Sequence, residues 1–455
     1  MTNPLKKEIS VNAFYANTPG QNWIGLWSAP GARAFEYTSL DYWTDVAKIC
    51  ERGLFDSIFF ADTNGVHDVF EGSPRAAIER AAMFPMNDPL LLIPTMAYVT
   101  RNLSFGVTAN LSYEHPYPLA RRFSTLDHLT NGRVSWNVVT GFQDSAARAM
   151  GLERQRDHDD RYDLAEEYME AVYKLWEGSW DDDAVVRDTV NRVYARPDKV
   201  REVVHNGPRL KMRGIHLSEP SPQRTPVLFQ AGGSARGRAF AAKHAECLFL
   251  NGLPGKHTAE RVREVRDSAR AFGRDPGQIK FIMMATIVVA PTEAEARDKY
   301  EILRAHVDGE GMLALRSGLS GIDLSKDLTK AGAATRGNGI NTLAEYLRSQ
   351  GQSLERLKDY ANFGQQAGRE CFVVGSPVQV ADQLEQWMAE AEIDGFNIQR
   401  SGEPRHLIDF VDLVVPELQN RGVYKTEYRP GTFREKLFGG GARIGAGHPA
   451  ATYRV

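Results

Sequence analysis

Cysteine is scarce in this chain: Cys50, Cys247 and Cys371 are the three among 455 residues. They are widely spaced, odd in number and never set as CxxC, which argues against a disulfide framework or a structural zinc site and fits a reducing compartment. Charge of one sign is lacking as well. Lysine and arginine number 55 against 58 aspartates and glutamates, a formal net charge of −3, so neither nucleic acid nor an anionic membrane surface is expected as the main partner. Long apolar runs are missing. The longest, 90–100, is too short to span a bilayer and is broken by Pro94. Residues 1–10 carry Lys6 and Lys7 but no apolar stretch of the secretory kind. A soluble, cytoplasmic protein is expected. Several catalytic signatures are absent too. Without HExxH, GxSxG, a GxGxxG fingerprint or GxxxxGK[ST], zinc-hydrolase, serine-hydrolase, Rossmann and P-loop readings lose support.

What is present is the composition of a globular protein, 42% hydrophobic and 25% charged. Short apolar runs alternate with segments of helical period. Strands are predicted at 9–14, 55–61, 103–111, 134–139, 227–230, 247–250, 279–290 and 395–398, and helices at 41–52, 89–100, 120–129, 161–176, 235–244, 259–272, 293–306 and 406–419. The near-continuous apolar run at 55–61 suits a parallel strand covered on both faces. Eight strands each followed by a helix favour an α/β fold of the (β/α)8 barrel type over an open doubly wound sheet. A barrel needs about 250 residues, so the surplus is assigned to insertions near 178–225 and 307–369. Both are placed over the carboxyl-end face as lids, within a single domain spanning 1–438. A carboxyl-terminal arm, 439–455, is either extended or disordered.

Three strand ends carry the candidate chemistry. PVLFQAGGSARGR, 226–238, runs from a strand through Gly232, Gly233 and Ser234 directly into a helix. Glycines admit a close approach and a helix amino terminus favours an anion, so this is either a phosphate site with Arg236 adding charge or a serine-capped turn. VSWNVVTG, 134–141, ends in Asn137, Thr140 and Gly141, and the strand before Asp62 ends in Asp62, Thr63, Asn64 and Gly65. Polar residues there sit where barrel enzymes bind ligands, or they satisfy loop backbone. DHDDRY, 157–162, opens a long helix, where its acids complement the dipole. No metal is expected there, and Tyr162 is placed to reach a phosphate on the same face. Of the eleven histidines, His67 and His115 lie in loops after strands and are the catalytic candidates, each with loop-capping as its alternative.

The blocks FFAD (59–62), NDPLLL (87–92), YEHPYPLARRFSTLDHLTNGRVSWNVVTG (113–141), HDDRYDLAEEY (158–168), SPQRTPVLFQAGGSARGR (221–238) and VGSPVQVADQL (374–384) resemble the bacterial-luciferase-like flavin monooxygenases. More narrowly they resemble the branch of the nitrilotriacetate, EDTA, dibenzothiophene-sulfone and long-chain alkane monooxygenases, and TFREKLFG (432–439) is most similar to the last of these. The resemblance implies a barrel that binds FMN as FMNH2, supplied by a separate NAD(P)H:flavin reductase. It also implies O2 chemistry through a flavin hydroperoxide or peroxide, and a homodimer or homotetramer. Asp62 is implied as a contact to the isoalloxazine edge. Thr108, Asn137, Thr140, Gly141 and Phe142 are implied as ring and ribityl contacts, and Tyr162, Ala231, Gly232, Gly233 and Ser234 as the phosphate site. Thr18, Gln21, Asn64, His67, Met83, Phe142, Met312 and Leu315 fall at substrate-facing positions. Gln21 and Phe142 stand where histidines are expected, and Thr18 where cysteine is. The resulting pocket predicts a small, mainly apolar substrate: an alkyl, thioether or sulfone, aromatic or terpenoid compound. A deazaflavin-dependent oxidoreductase and a non-catalytic flavin-binding subunit are the alternatives.

Overall fold

The computed structural model describes residues 7–250, 255–328, 347–349, 351–359, 371–402 and 404–455. Its strands in chain order are β1 (Ser10–Ala16), β2 (Ser57–Ala61), β3 (Ser104–Asn110), β4 (Val134–Val139), β5 (Val185–Asp188), β6 (Val193–Ala195), β7 (Val203–Asn206), β8 (Lys211–Gly214), β9 (Val227–Gln230), β10 (Cys247–Leu250), β11 (Lys280–Val289), β12 (Cys371–Gly375) and β13 (Gly395–Gln399). Eight of them form one closed parallel barrel in the order β1-β2-β3-β4-β9-β10-β11-β13, sealed where β13 pairs with β1. The expected (β/α)8 architecture is therefore the observed one. β12, which the sequence reading does not assign, pairs with the last half of β11 outside the ring. The helix Pro377–Ala391, also unassigned, follows it behind a Ser376–Gln379 capping box.

Strand side chains alternate between two environments. Phe14, Phe59, Val227, Phe229, Cys247, Phe249 and Ile282 meet inside the barrel, where the rings of Phe14 and Phe249 lie 5.5 Å apart and those of Phe59 and Phe229 5.4 Å apart. The intervening Val11, Tyr15, Ile58, Phe60, Val107, Trp136, Leu228 and Phe281 pack on the surrounding helices. Toward the carboxyl ends the inward positions become small or polar. Gly106 lies against Phe59 and Ser135, and two residues on come Thr108 and Asn137, paired in register. An aromatic floor thus lies beneath a polar upper chamber. The opposite mouth is stoppered by the helix Phe433–Phe438, whose Phe433 stacks on Phe229 with rings 6.2 Å apart and donates its N–H to the Gly132 carbonyl at 2.8 Å.

The insertion at 178–225 is not a lid. It leaves the carboxyl end of the helix His158–Gly178 and returns to the start of β9, and a helix-to-strand connection lies at the barrel's amino end. Its β7–β8 hairpin runs back along that helix, where Glu167 accepts the Leu210 N–H at 2.7 Å and bonds His205 Nε2 at 3.2 Å. The second insertion does cover the carboxyl-end face over its described part. The helix Gly309–Ser320 packs Met312, Ala314 and Leu315 against Ile24, Phe70 and Ala77 from the loops after β1 and β2. Residues 329–346, 350 and 360–369 of that insertion lie outside the described residues. The arm is ordered: His448 Nε2 bonds the His244 carbonyl at 2.8 Å, and Arg443 and Arg454 reach buried Glu177 at 2.5 and 3.2 Å. Among the described residues no helix is long and apolar enough to cross a membrane.

Candidate functional site

Three groups of side chains assemble at the carboxyl ends of the strands. The first surrounds the turn after β9. Ser234 is the N-cap of the helix Ala235–His244, its Oγ accepting the Gly237 N–H at 3.0 Å. The same oxygen lies 3.0 Å from His158 Nε2 and hydrogen-bonds Tyr162. Gly232 and Gly237 allow the turn to close. A Cβ on Gly232 would fall 2.5 Å from the Gly237 carbonyl oxygen, and one on Gly237 would fall 2.6 Å from the Tyr162 hydroxyl. Ser234 and Tyr162 therefore converge as expected. Gly233 lies within this turn and is half-buried, while Ala231 is exposed at its start. Burial raises the Tyr162 hydroxyl, and the charge of Arg236, although paired with Asp163 at 2.7 Å, is among those that lower it. In the sequence His158 stands only as part of an acidic helix start. Its partner is 76 residues away in sequence, and no local pattern joins the two.

The second group lines the upper chamber. Asn137 Nδ2 donates to Thr108 Oγ1 at 2.8 Å, and that hydroxyl donates to the Phe60 carbonyl at 2.7 Å. Asn137 Oδ1 is buried without a protein partner, an acceptor facing nothing the fold provides. The strand end continues through Thr140, whose carbonyl accepts the Ser112 hydroxyl at 2.7 Å. Gly141 has φ +69°, and a Cβ on it would meet Asn110 Nδ2 at 2.5 Å, so glycine is required. Its carbonyl also accepts from buried Arg161. Phe142 is half-buried beside it.

The third group lies after β2. Burial and, second to it, the negative charge of Asp88 push the Asp62 carboxyl up to about 7, against a backbone hydrogen bond from Thr63 that lowers it. Asn64 is exposed. His67 is 2% exposed and burial lowers its imidazole to about 4. The ring is therefore neutral near pH 7, because the charged form would lose its hydration. Its Nδ1 lies 3.3 Å from Gln143 Nε2, which also donates to the Gly65 carbonyl at 3.0 Å, and its Nε2 has no protein partner. Gln143, a residue the sequence reading missed, links the β2 and β4 loops. The helix Gly309–Ser320 closes over this ring: a Cβ on Gly318 would fall 2.0 Å from His67 Nδ1.

His115 takes the capping position that is the second of its two readings. It is exposed and caps the helix Pro116–Leu129, Nδ1 accepting the Tyr117 N–H at 3.3 Å. Met312 and Leu315 belong to the packing of the covering helix, and Met312 Sδ accepts the Ile24 N–H at 3.3 Å. Met83 is half-buried at the edge of that cluster. Thr18 and Gln21 are buried in the loop after β1. Among the described residues no three His, Cys, Asp or Glu side chains gather as a metal site.

This arrangement has close counterparts among known proteins. The profile of the luciferase-like monooxygenases matches residues 18–395. A long-chain alkane monooxygenase of Geobacillus thermodenitrificans is 45% identical over 453 residues, covering 99% of each chain. A dimethyl-sulfide monooxygenase of Hyphomicrobium sulfonivorans is 43% identical, covering 99% of this chain and 94% of its own. A solved riboflavin lyase holding a modified FMN and riboflavin superposes with a TM-score of 0.92 at 36% identity, covering 99% of this chain and 100% of the other.

Proposed function

The chain belongs to the luciferase-like monooxygenases, and from that premise we propose that it takes reduced FMN from a separate NAD(P)H-dependent reductase and uses O2 to oxygenate a small, mainly apolar organic molecule. It is a flavin-dependent monooxygenase. Bound reduced flavin supplies the activation of O2, one atom of which enters the substrate while the other leaves as water. The chain's residues bind, orient and shield. Ser234, at the start of the ten-residue helix Ala235–His244, and His158 and Tyr162, in the first turn of the helix His158–Gly178, receive the phosphate, with the shorter helix's end adding its N–H groups and dipole. Asn137, Thr108 and the Thr140–Phe142 strand end receive the ring and ribityl chain. Asp62, pushed up to about 7 and so only partly ionised near pH 7, meets the ring edge without setting a full negative charge there. The helix Gly309–Ser320 keeps water from the reacting face.

The observation that carries this reading is the presence of two polar features at the carboxyl ends of the strands: the Ser234–His158–Tyr162 turn, and the buried Asn137 Oδ1, which has no partner among the described residues. A separate reductase is supported by a chain whose motifs fit one barrel and include no dinucleotide fingerprint. An apolar substrate is supported by Met83 and Phe142 and by relatives named for an alkane and a dialkyl sulfide. Assembly as a homodimer or homotetramer belongs to the same proposal, in keeping with Leu91 and Tyr98 standing 77% and 91% exposed.

The test is an FMN titration of Ser234→Asp. A carboxylate at the phosphate adds like-charge repulsion and removes a donor, so affinity should fall by about 10²-fold or more. Unchanged affinity overturns the assignment. With wild-type protein and a generic flavin reductase, substrate-dependent oxygenated product identifies the acceptor.

A further inference from the structure

Gln143 sits in the loop after β4, and both polar atoms of its amide are engaged by the loop after β2. Nε2 donates to the Gly65 carbonyl at 3.0 Å and lies 3.3 Å from His67 Nδ1, while Oε1 accepts the Thr63 hydroxyl. The Gly65 carbonyl decides which way the amide points. A carbonyl oxygen only accepts, so the reverse orientation would set Oε1 against it, lone pair to lone pair. The two loops are stitched together again two residues on. Ser145 Oγ donates to the Val66 carbonyl at 2.7 Å, and a Cβ on Gly65 would fall 2.5 Å from the Ala146 nitrogen. Gln143 and His67 are both buried, so these bonds are made away from bulk water.

We infer that Gln143 is a positioning residue that holds His67 in the tautomer protonated at Nε2, so that the ring's other edge is a hydrogen-bond donor with no lone pair to act as a base. With one hydrogen of the Gln143 amide on the Gly65 carbonyl, the second points at Nδ1, and Nδ1 must accept it. A neutral imidazole carries a single ring hydrogen, which is therefore on Nε2. The opposite tautomer would bring two N–H groups together at Nδ1. The covering helix completes the arrangement. A Cβ on Gly318 would fall 2.0 Å from Nδ1 and 2.4 Å from Cγ, so the helix backbone closes the Nδ1 side of the ring. Nδ1 is thus occupied and covered, while Nε2 has no partner among the described residues. The tautomer follows from these contacts alone, and its use in oxygenation rests on the reading of this face as the reacting side. There the ring offers an N–H to an acceptor and takes no proton from the substrate.

Nitrogen-15 imidazole spectra of the full-length protein, labelled at histidine and recorded at pH 8, test this, with the His67 lines assigned by their loss in His67→Phe. In the wild type the proton should sit on Nε2, and Nδ1 should resonate downfield as an unprotonated nitrogen. Gln143→Glu puts an acceptor where the amide donates, so Nδ1 should gain a proton and its line should move upfield. Should that variant fail to give a native circular-dichroism melt, Gln143→Met removes the donor without adding an acceptor. The Nδ1 line should then move farther downfield as its hydrogen bond is lost. A wild-type Nδ1 that carries the proton overturns the inference, as does a His67 spectrum that a folded Gln143 variant leaves unchanged. None of these spectra requires bound flavin. Failure here leaves the flavin reading intact, and the Ser234→Asp titration can fail without touching the tautomer.

Discussion

Asp62 carries a cost that depends on pH. Its carboxyl, pushed up to about 7 by burial and by Asp88, keeps in the folded chain a proton that the unfolded chain releases near 3.8. The folded state binds more protons across that window, so its stability falls as pH rises from about 4 to about 7 and the loss is complete above it. Asp62→Asn, neutral throughout, should unfold at higher urea than the wild type at pH 8, by up to about 4 kcal/mol, and at the same urea near pH 4. Equal midpoints at pH 8 would mean that the carboxylate is hydrated. His67 has the opposite sign. With its imidazole lowered to about 4, it favours the fold above 6.5 and loses that contribution as pH falls toward 4. A ring neutral at working pH, with Nε2 facing no protein atom, acts by accepting or donating one hydrogen bond. His67→Ala and His67→Phe should then both lower product formation, by about 10²-fold on the scale of proton or hydrogen-bond help, with the missing reductant recovered as H2O2. Full coupling in His67→Phe would leave the ring a space-filling role. The strand-end residues were legible because a barrel delivers strand ends to one face. His158 was not, since Ser234 and His158 meet only after the barrel brings two distant helix starts together.

Among the elements, β4, β9 and β10 match their sequence-based bounds because each is a short apolar run set off by polar or turn residues. The helix Pro116–Leu129 begins four residues earlier than periodicity suggests, since Pro116 sits at its first turn behind the His115 cap. β12 and the helix after it fall outside the predicted elements although Ser376, Pro377 and Gln379 spell a helix start; a count of eight strands is complete without them. The first insertion was misplaced for a different reason. Its position over or under the barrel depends on whether it leaves a strand or a helix, and the helix His158–Gly178 runs to its very start. The covering helix Gly309–Ser320 is seated by Gly311 and Gly318, seven residues apart and so on nearly one face. A methyl at Gly318 would press on the His67 ring. Gly318→Ala should therefore lower stability by about 1–3 kcal/mol in urea unfolding and raise H2O2 release as the helix lifts. A variant with wild-type midpoint and coupling would show that the helix moves freely over the ring.

At the scale of the molecule, the arm binds distant parts of the chain through charge. Glu177, with a fully buried side chain, is met by Arg443, Arg454 and the Thr225 hydroxyl, the last at 2.6 Å. Truncation after Gly441 removes both arginines and leaves a buried carboxylate with a hydroxyl for company, at a cost of about 3–5 kcal/mol. The melting temperature should fall, and Glu177→Gln in the shortened chain should restore part of it. Failure of that rescue would place the arm's contribution in the packing of Tyr453 and Ala450 instead. The same end of the chain governs when a barrel can exist. β1 finds its second neighbour only in β13, nearly four hundred residues later, and the aromatic floor meets its stopper only at Phe433. The ring thus cannot close on the ribosome until β13 has been made. Until then β1 and β11 each keep an unpaired edge and the lower mouth stands open to solvent. Such edges are templates for association with other chains, so the nascent protein stays exposed to misassembly, and in need of a chaperone, until β13 and Phe433 have been made.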